Sequence, residues 1–542
     1  MLSLYNVTAG QAAHYFDIDN YYARKEGVVN SQWWGKGAAL MGLTQGVKAK
    51  QFDNLLKGFS ASGDQFLRGR EDQKSGALPL AKIITLASQL TEILGRVSNL
   101  SPSEKDDLVA EFKRGIHSKE YQDLSKASTA KAKISVLTGP SKELDRLFQS
   151  AGKSTQQRAG IDATFSAPKS VTLAAFVGGD ERLLEAHNRA VRAALNVLEK
   201  RYSNTRVGGK NDRAVVTTGN LIAATFQHDT SRAKDPQLHT HCVILNLTQR
   251  KDKKWRSHYA DEIWKNSKFL GTVYQNELAA EALKLGYEVE TQSNGTFEIK
   301  GYTREQLEVF SKRREQVLQE GGANQKLARS AVLKSRASKG KEIPREELQV
   351  GWKIEAADAG ITHPQYNLDK KSEINTSGII GDISERLIHA AEMATERTVA
   401  TRRENIETAA MAQNLGEVAF RDFEVKLSRN RPAEIKNTAD EKKYLTDKSI
   451  EKEVQYIGVL ERGLGKFQPV LKPENARIVA DEINLEAKAQ GQKGLTNGQR
   501  QAIEMTLSAR DRVVGWQGVA GAGKTYSMRA VRKEFEKNGI TV

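Results

Sequence analysis

The spacing of apolar and polar positions changes character several times along the chain. From Met1 to about Arg70 aromatic and glycine residues are dense, with Tyr15, Phe16, Tyr21, Tyr22, Trp33 and Trp34 close together. From about Ser75 to Gly152 helix formers dominate and aromatics become scarce. Ser101-Pro-Ser-Glu104 has the make-up of a helix N-terminus, so an inserted helical subdomain is expected there. Ile161 to Val171 and Ala214 to Phe226 read as strands that bracket an amphipathic helix over Glu181 to Arg201. His239 to Leu247 alternates as a further strand, Trp264 to Tyr274 reads as another, and Leu285-Gly-Tyr-Glu-Val-Glu290 reads as a hairpin. The pattern predicts an α+β domain around a sheet, occupying about residues 1–310 with the helical insertion at 75–152.

Beyond Lys300 the sequence turns helical and polar. Gly321 to Lys341 carries six Lys or Arg and no Asp or Glu, and residues 311–350 read as a basic linker. A second helical region is expected over 351–490. In the last stretch, 491–542, Gly494-Leu-Thr-Asn-Gly-Gln-Arg500 opens a helix, and Arg512 to Gln517 reads as a strand leading into Gly518-Val-Ala-Gly-Ala-Gly-Lys-Thr525.

A length of 542 residues accommodates about three folding units, and 39% hydrophobic content is enough for real cores. With 83 Lys and Arg against 67 Asp and Glu, the formal charge of +16 points to a polyanionic partner, nucleic acid foremost, with a merely solvated surface as the alternative. The single cysteine, Cys242, excludes an internal disulfide and a thiolate zinc cluster, so any metal must be held by His or carboxylate. The start of the chain has no basic region before an apolar stretch, and the apolar window Leu78 to Leu90 is short and interrupted by Lys82. A soluble, cytoplasmic protein without membrane insertion is expected.

Three of the nine histidines fall within fourteen residues, in His228-Asp-Thr-Ser-Arg232 and Asp235-Pro-Gln-Leu-His239-Thr-His241. On a strand His239 and His241 share a face, so two imidazoles can converge on one ion while His228 approaches from the preceding strand end. Three neutral nitrogen ligands leave coordination positions open, as a catalytic ion requires. The bland alternative is histidines scattered through core and surface. Tyr15 and Tyr21 stand in an aromatic cluster that could equally be core or a base-stacking platform. A phenol is a poor nucleophile until a cation stabilises the phenolate or withdraws charge from the phosphate, so catalysis by tyrosine would need the metal site as its partner.

Gly518 to Thr525 is a complete G-x-x-x-x-G-K-[ST] loop expected between a strand and a helix. Backbone N–H groups around Gly518, Gly521 and Gly523 would cradle phosphates, Lys524 would reach the β/γ oxygens, and Thr525 would contact Mg2+. Upstream, Leu495-Thr-Asn-Gly-Gln499-Arg-Gln-Ala502 resembles the adenine-reading glutamine motif of superfamily-one helicases.

Taken together, Tyr15…Asn20-Tyr21-Tyr22, Trp34-Gly-Lys-Gly-Ala38, Thr164-Phe-Ser-Ala-Pro-Lys-Ser170 and His228-Asp-Thr-Ser-Arg…Gln237-Leu-His-Thr-His241 resemble the MobF group of conjugative relaxases, the TrwC/TraI relaxase-helicases with an HUH-type histidine triad. The resemblance covers about residues 1–70 and 155–310. It implies an antiparallel sheet with a ferredoxin-like palm that nicks one strand at a plasmid transfer origin, leaving a 5′-phosphotyrosyl link and a free 3′-hydroxyl. By position Tyr15 matches the nucleophile and Tyr21 the first residue of the second tyrosine pair. His228, His239 and His241 match the ligands of a divalent ion (Mg2+, Mn2+ or Zn2+). Asp162 matches the acidic residue that orients a ligand histidine or receives the tyrosine proton, and its bland alternative is a strand-end cap. Phe16 stands where many members have a second tyrosine, so the role of that hydroxyl is missing here, and the 75–152 insertion interrupts a region that is short in the best-known members.

Lys169, Arg232 and the aromatic cluster are expected DNA contacts. The resemblance further implies single-stranded origin DNA, relaxosome accessory proteins and a type IV secretion coupling protein as partners, with passage into a recipient cell alongside the DNA. It also implies ATP and Mg2+ in a longer parent. Because the sequence stops at Val542, before any acidic strand of a motor, it reads as the start of a relaxase-helicase that would not itself hydrolyse ATP. Two rivals remain at this level. One is a single-stranded DNA-binding or loading module of a helicase, without nicking, in which the histidines hold a structural ion. The other is an ATPase whose N-terminal part only loads DNA.

Overall fold

The computed structural model describes residues 1–8, 31–67, 80–96, 100–117, 158–208, 214–231, 233–292, 295–312, 345–364, 376–439, 443–491, 493–519 and 521–541. These fall into two compact units, one of Met1–Ile383 with Glu407–Arg429 and the other of Ser384–Ile406 with Asn430–Val542. No helix among the described residues is long and apolar enough to cross a membrane.

The first unit is built on an antiparallel five-stranded sheet. Its strands are β1 (Leu2–Val7), β2 (Ser31–Trp34), β3 (Gly160–Ser166), β6 (Ala223–Thr230) and β7 (Pro236–Leu245), in the order β1-β3-β7-β6-β2. Strands β4 (Asn204–Val207) and β5 (Ala214–Thr217) form a separate two-stranded ribbon, as do β8 (Thr248–Gln249) and β9 (Trp255–Arg256). Helices α1 (Lys36–Leu40) and α2 (Ala49–Leu56) follow β2, and the insertion contributes α3 (Leu80–Gly95) and α4 (Pro102–His117). After β3 come α5 (Lys169–Phe176) and α6 (Arg182–Tyr202), and after β7 come α7 (Asp261–Lys265) and α8 (Ser267–Lys284).

Helix α6 buries Leu183, Ala186, Ala190, Ala194, Leu195 and Leu198, a stripe at three- and four-residue spacing, and packs along α8. Against the opposite side of the sheet, Phe52, Leu55 and Leu56 of α2 meet Ala224, Val243 and Leu245 of the central strands, with Trp33 and Phe226 at the margin. The Trp34-Gly-Lys-Gly-Ala38 turn owes its glycines to this packing. Gly35 has φ 105°, and a Cβ there would lie 2.4 Å from the Leu221 carbonyl oxygen.

Four expected elements of this unit differ. The strand read over Ile161–Val171 ends at Ser166, and α5 begins after Pro168. Every residue of α5 from Ser170 to Phe176 is buried, so its run shows no polar face to give away its period. The Ala214–Phe226 segment is two strands, β5 and β6, broken by Gly219 at φ 67°. Trp264–Tyr274 is not a strand but part of α7 and α8. Its aromatic and β-branched content suggests a strand, yet Phe269/Val273 and Leu270/Tyr274/Leu278 recur at the four-residue helical spacing. Leu285 ends α8, and the hairpin consists of β10 (Val289–Thr291) and β11 (Phe297–Ile299).

Downstream come α9 (Arg304–Val309), α10 (Arg345–Asp358), α11 (Thr376–Ala394) and α12 (Arg403–Gln413), and part of this stretch returns to the first unit. The segment Glu407–Arg429 contains helix α13 (Phe420–Arg429), preceded by the turn at Gly416. The Asn276 side chain of α8 accepts from Gly416 N at 3.0 Å and donates to Val418 O at 2.9 Å. Arg201 at the end of α6 donates to Glu407 at 2.6 and 2.9 Å and to Glu424 at 2.9 Å, with its guanidinium over the rings of Phe269 and Phe420. Burial works against that charge, but the two carboxylates outweigh it and hold the arginine above its ordinary pKa.

In the second unit, α15 (Pro473–Ala489), α16 (Asn497–Ser508) and α17 (Lys524–Lys537) close around Ala476, Ala480, Ile503, Leu507 and Val531. They are preceded by a small hairpin, β12 (Ile435–Asn437) and β13 (Tyr444–Thr446), and by α14 (Asp447–Gly463). The strand expected over Arg512–Gln517 is not formed. Among the described residues of this unit no strand pairs with it, and an extended segment without ladder partners is not a strand.

Because Glu407 is fully buried, Arg201→Met is expected to destabilise the first unit by about 3–5 kcal/mol, and adding Glu407→Met should recover more than half of that loss. Denaturant unfolding of the two variants checks this, and simple additivity would contradict it.

Candidate metal and nucleic-acid site

Register alone assembles the site. In the β3–β7–β6 ladder His239 stands opposite Ser166 on one side and His228 on the other, His241 opposite Thr164 and Phe226, and Val243 opposite Asp162. Directly opposed residues share a face, so Asp162, Thr164, His228, His239 and His241 all face the same way. A register shift between His228 and Thr230 marks a bulge where β6 delivers its histidine. The ring centroids of the three histidines are 5.1–5.2 Å apart in every pair.

Two of the rings are held from behind. His239 Nδ1 lies 2.8 Å from the Gln237 carbonyl oxygen and His241 Nδ1 lies 2.8 Å from Asp162 Oδ2. Both acceptors require Nδ1 to carry the proton, which puts the lone pair on Nε2, the atom that would meet an ion. The Thr164 hydroxyl lies 3.2 Å from Asp162 Oδ1 and 3.1 Å from His241 Nδ1, steadying the pair. Asp162 is 1% exposed. Burial, followed by the neighbouring His241 and His228, pushes His239 down to about 3, so its imidazole is neutral at physiological pH.

Among the described residues no group of three or more His, Cys, Asp or Glu side chains is already closed up as a metal cluster. The point equidistant from the three rings nevertheless lies about 3 Å from each centroid, where an ion ~2.0–2.1 Å from each ring nitrogen would stand. A neutral His239 with Nδ1 anchored, beside a His241 anchored in the same way, presents the Nε2 lone pair that a divalent ion needs. Cys242 takes no part: it is buried on the opposite face, where burial pushes its thiol up.

Other expected site residues fare differently. Tyr15, Tyr21 and Arg232 lie outside the described residues. Lys169 does not offer its ammonium outward for phosphate. At the start of α5 its Nζ donates to the Pro236 carbonyl at 2.8 Å and to Gln237 Oε1 at 3.1 Å, fastening the beginning of β7. Burial lowers it to about 8 against the opposing pull of Asp235 and Glu298. Sequence reasoning missed Thr164 and Gln237. Thr164 was findable, since it lies two positions from Asp162 on the same strand. Gln237 acts through its backbone oxygen, and any residue type could supply that.

At the phosphate loop, Gly521 and Gly523 have φ 80° and 78°, and Gly523 caps α17. The Lys524 Nζ donates to the carbonyl oxygens of Gly518 at 2.7 Å and Val519 at 3.1 Å, folded over the loop. Gln499 completes a capping box with Thr496, and its Nε2 donates to Ala522 O at 3.0 Å. Thr525 occupies the first turn of α17.

The TrwC relaxase family model matches residues 9–359, and an AAA domain model matches residues 494–542. The multifunctional conjugation protein TraI of Escherichia coli is 37% identical over 236 residues, which is 41% of this chain and 13% of that protein. TraI of strain K12 is 35% identical over the same length, with the same coverage. The match thus spans 13% of the length of these relatives. Among solved structures, the conjugative relaxase TrwC with oriT DNA in a metal-bound form is 30% identical and has a TM-score of 0.48, covering 67% of this chain and 100% of that one. A copper-bound form is 31% identical, with the same TM-score and coverage.

Below about pH 8 Lys169 is charged in both the folded and unfolded states and its desolvation costs stability. As pH rises from 8 toward the ordinary 10.5, the folded protein sheds a proton that the unfolded chain keeps, so stability recovers. Wild type should therefore gain stability relative to Lys169→Met over that window in denaturant titrations, and a constant difference would show the amine to be solvated.

Proposed function

Because this chain belongs to the TrwC relaxase family, we propose that it is a conjugative DNA relaxase that makes a strand-specific nick at a plasmid transfer origin by tyrosine transesterification. The observation that carries this reading is the convergence of His228, His239 and His241 on one face with Asp162 holding His241 from behind. His228, His239 and His241 would hold a divalent ion, which when bound draws charge from the scissile phosphate. The relatives named for conjugation support DNA at a transfer origin as the substrate.

Tyr15 is the proposed nucleophile. Its oxygen attacks phosphorus as the phenol proton passes to solvent, the bond from phosphorus to the 3′ oxygen breaks, the 5′ phosphate stays on the tyrosine, and the departing 3′ oxygen takes up a proton to become the 3′ hydroxyl. Tyr21 is proposed for a second transfer. Between the two roles considered for Asp162, orienting a ligand is favoured, because both its oxygens already have partners in His241 and Thr164. The AAA-domain match supports nucleotide binding at Gly518, Gly521, Gly523, Lys524 and Thr525. For Gln499 to read an adenine it would have to release the Ala522 carbonyl. We place relaxosome proteins and a type IV coupling protein as the partners of this reaction.

Tyr15→Phe is expected to abolish the denaturation-resistant adduct with single-stranded origin oligonucleotides while leaving binding within about threefold, since the ring is kept. Mass spectrometry finding the phosphate on another residue of the wild type would overturn the assignment.

His239→Ala, like chelation, should remove cleavage far more than binding, because affinity rests on phosphate charge and stacking. Full cleavage in chelator would defeat the metal-assisted reading, whereas a wild type that binds origin DNA without cleaving it would favour a DNA-loading module.

A further inference from the structure

Thr240 stands between His239 and His241 on β7, and strand alternation turns its side chain through to the helix-covered face. There it meets His187 of α6, a fully buried residue that the chemistry proposed above leaves unused. His187 Nε2 lies 2.8 Å from Thr240 Oγ1, and His187 Nδ1 lies 2.8 Å from the hydroxyl of Tyr274 on α8. Tyr274 is itself fully buried, its hydroxyl kept protonated by burial, so it donates to Nδ1. The imidazole is then the tautomer that donates from Nε2 to Thr240. Burial keeps the ring neutral, with its pKa pushed down to about 3.

We propose that His187 is a positioning residue for the metal-ligand pair, gripping Thr240 from behind and so fixing the orientation in which β7 presents His239 and His241. The proposal rests on the reading that these histidines hold a divalent ion. Ladder hydrogen bonds set which residues oppose one another but leave a strand free to twist about its own axis, and such a twist swings two imidazoles at i and i+2 together. A side-chain anchor at the intervening position, tied to two packed helices, opposes that rotation. Ligand geometry is sensitive at this scale, since metal sites tolerate errors of only about 0.2 Å.

The two bonds of His187 can be separated by substitution. The amide of Gln reaches the position of Nε2 and can keep the Thr240 bond, whereas the shorter amide of Asn matches Nδ1 and can keep only the Tyr274 bond. Each variant loses one buried hydrogen bond, so a purely structural role predicts similar behaviour. The test is titration of the metal-free full chain with Co2+ alone, read by affinity and by ligand-field absorption, with thermal unfolding of the metal-free proteins alongside. His187→Asn is expected to weaken Co2+ binding about 10–100-fold and shift the absorption bands. His187→Gln should stay within about threefold of wild type with unchanged bands, although both variants melt earlier.

Should His187→Asn not fold, Thr240→Val removes the same bond from the strand side at nearly constant volume and is expected to give the same loss and band shift. Equal Co2+ affinity and spectra in wild type and either bond-deleting variant would overturn the proposal, as would losses that track melting temperature in all variants alike. Wild-type binding of Co2+ that disappears in His239→Ala while His187→Asn is unaffected would sink the positioning role and leave the metal reading standing. Failure of the wild type to bind Co2+ would overturn both.

Discussion

Everything at the candidate site depends on the pairing register of β3, β7 and β6. Because successive side chains on a strand alternate faces, slipping β7 by one residue against its neighbours would turn His239 and His241 into the helix layer and bring Thr240 and Cys242 out in their place. Along Pro236–Cys242 the alternation of buried and half-buried positions favours that choice. Leu238, Cys242 and Ile244 are buried, and the faces they define leave the histidines no alternative orientation. Site and core are thus specified by the same hydrogen-bond ladder, and a substitution that disturbs one disturbs the other.

A second layer holds the chemical groups once register has placed them. Asp162 and Thr164 act on His241 through the neighbouring strand, the Gln237 carbonyl acts on His239 within its own strand, and Lys169 fastens the start of that strand to α5. Each of these contacts removes a freedom that a lone imidazole would have. Together they fix the Nδ1 proton on His239 and His241, and burial keeps the His239 ring neutral.

How much of this was legible depended on whether the signal was local. Paired histidines at i and i+2 carry their geometry in their spacing, Asp162 was legible only through the family resemblance, and the structure brings the three histidines and Asp162 together. The glycine-rich loop was legible for the same reason. The helical run of α8 was misread because its aromatic and β-branched residues mimic a strand when period is not counted. Lys169 was misassigned because a lysine near a nucleic-acid motif looks like a phosphate partner, and only burial shows otherwise. No local pattern could have paired Arg201 with Glu407 and Glu424, more than two hundred residues away, or predicted that Asn276 would bind the backbone at Gly416 and Val418.

That long-range pairing has a consequence for biosynthesis. The first unit is discontinuous in sequence, since Glu407–Arg429 returns to it after residues that belong to the second. A ribosome releases the strands carrying the three histidines early, but Arg201 cannot meet Glu424 until translation has passed that codon. At ~5–20 residues per second, the interval between them lasts on the order of ten to forty seconds. During that time the end of α6 carries a guanidinium without its counter-ions and an uncovered Phe269, a window in which a nascent-chain chaperone has something to bind.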